Sequence, residues 1–534
     1  MNKIISPSKI QRLLTESSLH CKFGRLNEAR LIYQNLLKAV PSHPDVLGNL
    51  GTIELQFGNT ELGVNYLKKS ISVNPHNFIF LTNLGNGLID LNKSEEAIFY
   101  FDKALKIAPR ASNVFYNKAR AYKALKKIKE SIDTYLAAIQ IDPKNPLLYL
   151  NIGFLFNELG DHQEALKYYN QGIQISPSNH QIVYNRGVVY ANLKQYELAI
   201  KDFDEAVRIH PNFKKALYDK SLIKLSTKSF LDGWPLYENR WAGLEKNDYL
   251  MTTKPELTTF KISDKKIFIW AEQGIGDQII YSSLLHDVLK TNNKFCVSLD
   301  PRLIALFTRS FAWSNRIEFI ASNEKLSESK YDFHLPLGNL GKFFRNSIND
   351  FDLHPLSYLK ANDTHCKTLR KIIINNHKKI CGISWMSKNI EVGIHKSISL
   401  IELLPILSLP NMTFINLQYG DTKKEIDDIQ KNYGLEIQSI NEIDNFNDLD
   451  GLTSIASICD YIITSSNVTA HIAGALGKET YLLVPFSHGK GWYWGENDET
   501  SLWYPSIQIY RSLSGESWAS PVGLIKSRLE KIYG

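Results

Sequence analysis

Residues 143–177 read PKNPLLYLNIGFLFNELGDHQEALKYYNQGIQISP, a stretch that begins and ends with proline and has the small residue Ala165 inside it. Both features recur every 34 residues, with proline at positions 41, 75, 109, 143, 177 and 211 and a small residue at positions 29, 63, 97, 131, 165 and 199. Proline cannot continue a helix, and a small side chain lets two helices approach closely. The two columns therefore predict successive helical hairpins rather than a catalytic globule.

A 34-residue period with these two columns is typical of tetratricopeptide (TPR) repeats. Six aligned units favour this interpretation over a generic bundle with accidental prolines. The inner turns carry glycine or asparagine, which suit a left-handed helix end, or lysine, which is merely tolerated there. These turn residues are Gly24, Gly58, Asn92, Lys126, Gly160 and Lys194. We expect the repeats to bind a partner protein or peptide.

Composition narrows the class of protein. A chain of 534 residues is too long for one core, and its 43% hydrophobic content is typical of globular proteins. The formal net charge of +7 is too small to indicate nucleic-acid binding. The five cysteines are scattered without CxxC spacing, which argues against disulfides and zinc. No run of 18 apolar residues and no signal-peptide core are present in the sequence, so we expect a cytoplasmic protein without a transmembrane segment.

The repeat register fades after Pro211. An incomplete seventh unit runs into residues 233–241, where Trp234, Tyr237 and Trp241 are spaced to form one apolar face. A terminal repeat must cover the open end of its stack, so we interpret these aromatic residues as a cap and docking surface rather than a ligand site.

From Lys265 onward, short apolar runs alternate with helix-like segments, which predicts parallel sheets of the doubly wound type. The predicted strands are 267–270, 295–299, 317–320, 331–335, 380–384, 413–417, 461–464 and 480–484. Two such groups predict two Rossmann-like lobes, with ligands beyond the carboxyl ends of the strands. The predicted domains are a capped TPR solenoid (1–245), a linker (246–264), an acceptor-side lobe (265–372) and a donor-side lobe (373–534).

The first strand is followed by Gly274, Gly276 and Asp277 at the start of a helix. The glycines let backbone approach a ligand closely, and Asp277 is placed to take a proton from an attacking hydroxyl. The competing interpretation is an aspartate that caps the helix. The spacing alone does not separate the two.

A second candidate segment follows the strand at 461–464. Ser466 or Asn467 caps a helix whose first N–H groups suit a phosphate, and His471 lies one turn further on. Gly474 and its alanine neighbours are small enough to admit a nucleotide or the opposite lobe. His471 is either a donor to a phosphate or ribose, or a histidine buried with its own partners.

Ser384 and Gln418 also follow strands, and Gln418 is placed to contact a base or ribose. Lys396 is either a cation that offsets charge on a leaving diphosphate or a solvated surface lysine. The histidines lack metal-ligand spacing and no DxD pair follows a strand, so we expect no metal.

These residues together resemble the heptosyltransferase-like glycosyltransferases of family 9, which have the two-lobed GT-B fold, and within them the bacterial group with TPR units. The matching segments are 233–241, 270–277, 336–340, 382–385, 396–400, 417–418, 470–477 and 503–505. The resemblance implies inverting, metal-independent transfer from a nucleotide sugar to an acceptor hydroxyl, without a cofactor. It implies an α-solenoid of TPR hairpins followed by a two-lobed α/β GT-B domain.

On this resemblance Asp277 is the base, and Lys396 and the helix start near Asn467 stabilise the departing diphosphate. His471 completes the implied catalytic set. The implied donor-binding residues are Gly274, Gly276, Ser384, Gln418, Ser466, Asn467 and Gly474. The chain departs from many relatives by having Ser466 where they have aspartate, which affects donor preference or activity. Residues 488–494 are either an aromatic rim against a sugar or a lobe-packing cluster.

Two functions remain open at this stage. The first is a glycosyltransferase whose repeats recruit a protein or glycan acceptor, similar to O-linked N-acetylglucosamine transferases. The second is a non-catalytic TPR scaffold with a degenerate sugar-nucleotide-binding domain. A nucleic-acid binder is disfavoured by the small net charge.

Overall fold

The protein is represented by a computed structural model, which describes residues 6–241, 249–352, 355–373, 378–388, 393–486, 491–513 and 517–533. The chain divides into two compact units, Met1–Val189 and Tyr190–Gly534. The boundaries expected at residues 245, 264 and 372 stay predictions. Within the ranges given, no helix has the length and apolar character that crossing a membrane requires.

The first unit is built from helical hairpins. Its helices are α1 (Pro7–Lys22), α2 (Leu26–Ala39), α3 (Pro44–Gln56), α4 (Thr60–Val73), α5 (Phe78–Asp90), α6 (Ser94–Ile107), α7 (Ser112–Ala124), α8 (Ile128–Ile141), α9 (Pro146–Glu158), α10 (His162–Ile175) and α11 (His180–Asn192), which extends into the second unit. Each hairpin of two helices lies between one proline of the 34-residue column and the next, as α3 and α4 lie between Pro41 and Pro75.

The small column lies where the two helices of a hairpin touch. Ala29, Ala97 and Ala165 are fully buried. A Cβ on Gly63 would lie 2.7 Å from Leu55 Cδ2, closer than packed atoms approach. The close approach of the helices is therefore the physical reason for the column.

The inner turns also follow the prediction. Gly58, Asn92 and Lys126 have φ of 79°, 59° and 58°, the left-handed conformation that ends a helix. Lysine adopts this conformation at a cost that glycine does not have. The turn is thus set by the repeat geometry rather than by residue type.

The second unit begins with α12 (Tyr196–Ile209), α13 (Lys214–Ser226) and α14 (Phe230–Tyr237), followed by a 3-10 turn, Glu238–Trp241. Trp234 is buried, its indole N–H donates to Arg345 O at 2.6 Å, and its ring fills the space beside Gly341. Trp241 stacks on Trp270 with ring centroids 5.6 Å apart. The aromatic face therefore packs against the sheets, as the sequence predicted.

The remainder of the second unit contains two parallel sheets. The strands are β1 (Lys266–Trp270), β2 (Lys294–Leu299), β3 (Ile317–Ala321), β4 (Phe333–Pro336), β5 (Lys379–Ser384), β6 (Met412–Asn416), β7 (Ile437–Gln438), β8 (Tyr461–Ser465), β9 (Glu479–Val484) and β10 (Ile507–Arg511). The strand orders are β3-β2-β1-β4 and β10-β9-β8-β5-β6-β7. All eight predicted strands are present within two residues of their predicted bounds, whereas β7 and β10 were not predicted.

Helices cover both sheets, as parallel sheets require. They are α15 (Ile275–Ser282), α16 (Leu285–Val288), α17 (Ile304–Ser310), α18 (Gly341–Phe344), α19 (Asp363–Ile372), α20 (Gly393–Lys396), α21 (Leu404–Leu407), α22 (Lys423–Tyr433), α23 (Leu449–Ile458), α24 (Val468–Ala475) and α25 (Ala519–Tyr533). Helix α15 follows β1, α24 follows β8, and the two helices pack against each other. This contact brings the carboxyl ends of strands from the two sheets to one place.

Candidate active site

A cavity of about 330 Å³ lies where α15 meets α24. It is lined by residues from eight separate stretches of the second unit, so it forms only when both sheets are folded. Six of the predicted site residues line it: Gly276, Asp277, Lys396, Ser466, Asn467 and His471.

Asp277 lies in the first turn of α15, whose N-cap residue is Gly274. The pKa of the Asp277 carboxyl is raised to about 6, first by burial and then by the Glu272 carboxylate, while the Lys396 ammonium acts in the opposite direction. Hydrogen bonding from the Gly274 backbone N–H also lowers the pKa, as expected for an acid that reaches back to the cap. Asp277 is therefore part of the helix start and also a carboxyl that ionises near neutral pH.

Glu272, which raises the Asp277 pKa, is held by the turn that ends the helical hairpins. Its Oε1 lies 2.7 Å from Arg240 Nη2 and accepts the Gly338 N–H at 3.1 Å. Burial raises the pKa of Glu272 and Arg240 lowers it. The ion pair keeps a negative charge next to the Asp277 cavity.

Lys396 ends the short helix α20 and is partly buried in the cavity wall. Burial lowers the pKa of its ammonium, and the Asp277 carboxylate raises it. Lys396 is thus a partly buried residue of the cavity wall, and its role toward a leaving diphosphate stays a prediction.

His471 is enclosed by aromatic rings. It stacks on Trp494 with centroids 5.2 Å apart, and its Nδ1 lies 3.2 Å from the Tyr504 hydroxyl. Burial and, to a smaller extent, the Lys396 ammonium together lower the pKa of His471 to about 3. The imidazole is therefore neutral at physiological pH, with Nδ1 engaged and Nε2 on the side of Gly276.

The glycines of the site make room for neighbouring rings. A Cβ on Gly276 would lie 2.7 Å from Cδ2 of His471, and one on Gly474 would overlap the ring of Tyr504. A Cβ on Gly274 would meet only Asp277 Oδ2, at 3.6 Å. Gly276 and Gly474 thus serve the packing of the two sheets' helices against each other and around His471.

Asn467, and not Ser466, caps α24. Its Oδ1 accepts the Thr469 N–H at 2.9 Å, and its Nδ2 donates to Ser384 Oγ at 2.9 Å. Ser466 instead accepts the indole N–H of Trp494 at 2.9 Å. The departure at Ser466 therefore places a hydroxyl against the ring that stacks on His471.

Ser384 and Gln418 lie outside the 330 Å³ cavity and are 1% exposed. Gln418 Oε1 accepts the Ser384 hydroxyl at 3.1 Å and the backbone N–H groups of Trp385 and Met386 at 2.8 and 2.7 Å. These bonds join the ends of β5 and β6. Their donor-binding role stays a prediction, and the observed contacts are structural.

A second, larger cavity of about 1130 Å³ lies beyond the ends of β6 and β7, and Gln418 is part of its wall. The two cavities share three lining residues, Lys388, Asn445 and Phe446. Carboxylates and amides dominate the larger cavity, with Phe446 as its aromatic group among the described residues.

Several lining residues of the smaller cavity were missed in the sequence. They are Arg302, Lys388, Tyr419 and Asn445. All four lie in loops or short turns, where no periodic pattern marks a residue's direction. A position just after a strand was the available signal for Lys388 and Tyr419, whereas Asn445 had none.

The predicted aromatic rim at 488–494 lies partly outside the described residues, which omit 487–490. Of the described part, Trp492 packs against Trp234 and Trp503, and Tyr493 lines the cavity. The expected absence of a metal and of a cofactor stays a prediction.

Comparison with known proteins identifies the repeats. Models described as "TPR repeat" and "Tetratricopeptide repeat" match residues 44–77, 78–111, 119–160, 146–179 and 181–213. The chain therefore contains TPR repeats, as the 34-residue period predicted. The assignment of residues 265–534 to family 9 stays a proposal.

A match to a curated relative covers more residues than the first unit contains, so it includes part of the second unit. Protein FlbA of Caulobacter vibrioides (strain ATCC 19089 / CIP 103742 / CB 15) is 25% identical over 317 residues, which is 56% of this chain and 52% of FlbA. The chain thus spans about half the length of the curated relative it matches.

Several solved structures resemble part of this chain. They include MamA (21% identity, 31% of this chain, 97% of that chain, TM-score 0.29), PilF of Pseudomonas aeruginosa (17%, 40%, 96%, 0.36) and YrrB, described as a TPR protein with an unusual peptide-binding site (20%, 35%, 97%, 0.30).

Proposed function

We propose that the second unit is an inverting, metal-independent GT-B glycosyltransferase that moves a sugar from a nucleotide sugar to an acceptor hydroxyl. The observation that carries the proposal is the meeting of Asp277, Lys396 and His471 in one cavity. These residues come from three helices that are far apart in the sequence, α15, α20 and α24, and each was singled out by its position after a strand or at a helix start. Their charges also suit complementary roles.

Asp277 acts as the general base. With a pKa of about 6 its carboxyl is ionised at neutral pH, yet basic enough to take a proton there. The acceptor oxygen gives its proton to Asp277 and forms a bond to the anomeric carbon from the face opposite the leaving group. The bond from that carbon to the diphosphate oxygen breaks, and its electron pair stays on the diphosphate.

Lys396 and His471 act on the leaving group. Lys396 brings a positive charge that offsets the charge developing on the diphosphate. His471 is neutral, and the tautomer that accepts the Tyr504 hydroxyl at Nδ1 has its hydrogen on Nε2, where it can donate. The aromatic enclosure of His471 keeps the ring in one orientation.

The two adjoining cavities fit the two ends of a nucleotide sugar. The 330 Å³ cavity contains the reacting groups and suits the sugar, and the 1130 Å³ cavity beyond β6 suits the nucleoside. The amides and carboxylates of the larger cavity suit the hydroxyls and amino groups of a nucleoside.

The repeats act as a recruiting module. TPR hairpins are stacked units that expose extended surfaces for partner proteins. We assign to them the binding of the acceptor or of a partner protein. Deletion of residues 1–189 should then lower activity on the natural acceptor while leaving donor hydrolysis intact.

To test for glycosyltransferase activity, the full chain is incubated with a panel of nucleotide sugars and the release of nucleoside diphosphate is measured. We expect turnover with at least one donor, reduced about 10²- to 10⁴-fold in Asp277→Asn. The control is Asp232→Asn, an exposed acid on α14, which should retain full turnover. If no donor is turned over, the proposed glycosyltransferase activity is rejected.

A non-catalytic scaffold is the second candidate, favoured by the serine at 466. A scaffold still binds a nucleotide sugar but releases no diphosphate product. Binding measured by calorimetry together with no product from any donor or acceptor would establish this alternative.

A further inference from the structure

The first turn of α24 has fewer free backbone N–H groups for a diphosphate than the sequence predicted. The Thr469 N–H is taken by Asn467 Oδ1 at 2.9 Å, and the Ala470 N–H by Asn467 O at 3.2 Å. A diphosphate carries more than one negative charge and needs more than one cation when water is excluded. Lys396 therefore needs a second cationic partner.

Lys388 is placed to be that partner. It follows β5 and lines both the 330 Å³ and the 1130 Å³ cavity. In the parts of the chain that are described, its ammonium forms no ion pair. Its backbone N–H donates to the Tyr419 hydroxyl at 2.9 Å, which holds the loop in place.

Gly420 makes the position of the Lys388 side chain possible. A Cβ on Gly420 would overlap the ammonium and Cε of Lys388, so a larger residue would push the side chain away. Gly420 has φ of 88°, a conformation that glycine adopts without strain. The side chain of Lys388 thus runs across a bare stretch of backbone between the cavities.

Asn445 marks the same junction. Its Nδ2 donates to Asn416 O and Gln418 O, both at 3.2 Å. Its Oδ1 is buried and has no hydrogen-bond partner among the described residues. A buried oxygen of this kind costs free energy unless a donor reaches it, such as a ligand hydroxyl.

The other cations near the junction are less suited. Arg302 is held by Asp300 through two bonds of 2.8 and 2.9 Å. Lys423 lines the larger cavity and not the smaller. Among the described residues, Lys388 is thus the lysine that lines both cavities.

We propose that Lys388 binds the phosphate groups that join the two halves of the donor, with the nucleoside in the larger cavity and the sugar in the smaller. Asn445 Oδ1 then accepts a hydroxyl of the same ligand. This assignment rests on the proposed function, and it names a nucleoside diphosphate as the group recognised at the junction.

The test compares nucleoside diphosphates with the matching nucleosides by calorimetry, using ADP, GDP, UDP and CDP on the full chain. Lys388→Met should weaken binding of the preferred diphosphate about tenfold or more, because it removes a charge-assisted bond. Binding of the nucleoside should change less than about twofold, and Lys388→Arg should restore most of the diphosphate affinity.

The matched control is Lys424→Met, which removes an exposed lysine charge from α22 outside the lining of both cavities and should leave the diphosphate affinity and preference intact. Equal affinity of wild type and Lys388→Met for the diphosphate overturns the assignment of Lys388 and leaves the proposed function standing. If both variants weaken diphosphate binding equally, the assignment is also overturned, because the loss then reflects a general electrostatic effect of removing a positive charge. If wild type binds no diphosphate, the proposed function and this assignment both fail.

Discussion

Nη2 of Arg240 lies 2.7 Å from Oε1 of Glu272, and this ion pair joins the turn after α14 to the loop after β1. Both side chains are almost fully buried, at 2% and 3% exposure. Arg240 also lies over the rings of Tyr237 and Trp241. A pair buried this deeply is costly to break from one side, because the remaining charge has neither water nor partner.

We therefore expect Arg240→Ala to lower the free energy of unfolding of the second unit by about 3–5 kcal/mol. Urea unfolding followed by tryptophan fluorescence measures the change. The control is Arg208→Ala, whose exposed pair with Glu205 is screened by water, so the free energy of unfolding should change little. Removing both charges in R240M/E272Q should recover part of the loss, and a double variant less stable than R240A would contradict this account.

The pH dependence of activity should report Asp277. Because its pKa is about 6 and the base must be ionised, kcat/KM should fall about tenfold per pH unit below pH 6 and level off above it. Removing the neighbouring negative charge in Glu272→Gln should lower the Asp277 pKa and move this limb to lower pH. If the acidic limb of the kcat/KM profile does not shift in a folded Glu272→Gln protein, Glu272 does not raise the pKa of Asp277.

Two glycines three residues or fewer from Asp277 provide a matched pair. Gly276→Ala places a Cβ 2.7 Å from the His471 ring, so the ring must move, and we expect kcat to fall about tenfold or more. Gly274→Ala meets Asp277 Oδ2 at 3.6 Å, an ordinary contact, and should retain most activity. Steady-state kinetics on both variants checks the difference, and equal losses would argue against the packing explanation.

Gln418 should act mainly on stability. Gln418→Leu leaves three donors without their acceptor, so the free energy of unfolding should fall by about 2–4 kcal/mol. Gln430→Leu, an exposed change on the wall of the larger cavity, is the control and should be near neutral. A stable Gln418→Leu protein with weakened donor binding would instead favour the ligand role predicted from the sequence.

The repeats and strands were predictable because their signals are periodic. The 34-residue columns record helix contacts that recur in every unit, and apolar runs such as 295–299 mark strands buried on both faces. Strand β7 has two residues, too few to form a run, and β10 alternates buried and half-buried residues at a sheet edge. Their existence depends on neighbours that the local sequence does not reveal.

The site was predictable where a residue's place follows from a strand end. Asp277 and His471 lie at the first turns of helices that meet, which topology alone suggested. Ser384 and Gln418 occupy equivalent positions, but their side chains turn toward each other and away from the 330 Å³ cavity. Direction at a strand end is set by tertiary hydrogen bonds, and position in the sequence does not encode it.

The burial of Arg240 against Glu272 also bears on how such a protein is divided and recombined. Cutting the chain between the last hairpin and β1 would strip Glu272 of its cation and uncover the groove that Trp234 fills beside Gly341. The shortest segment that can fold with both sheets intact thus includes α13 and α14. Lys194 Nζ also lies 4.0 Å from the ring centroid of Phe486, so the turn between α11 and α12 contacts the sheet region as well. Hairpins can therefore be added or lost without disturbing these contacts only where they precede that turn.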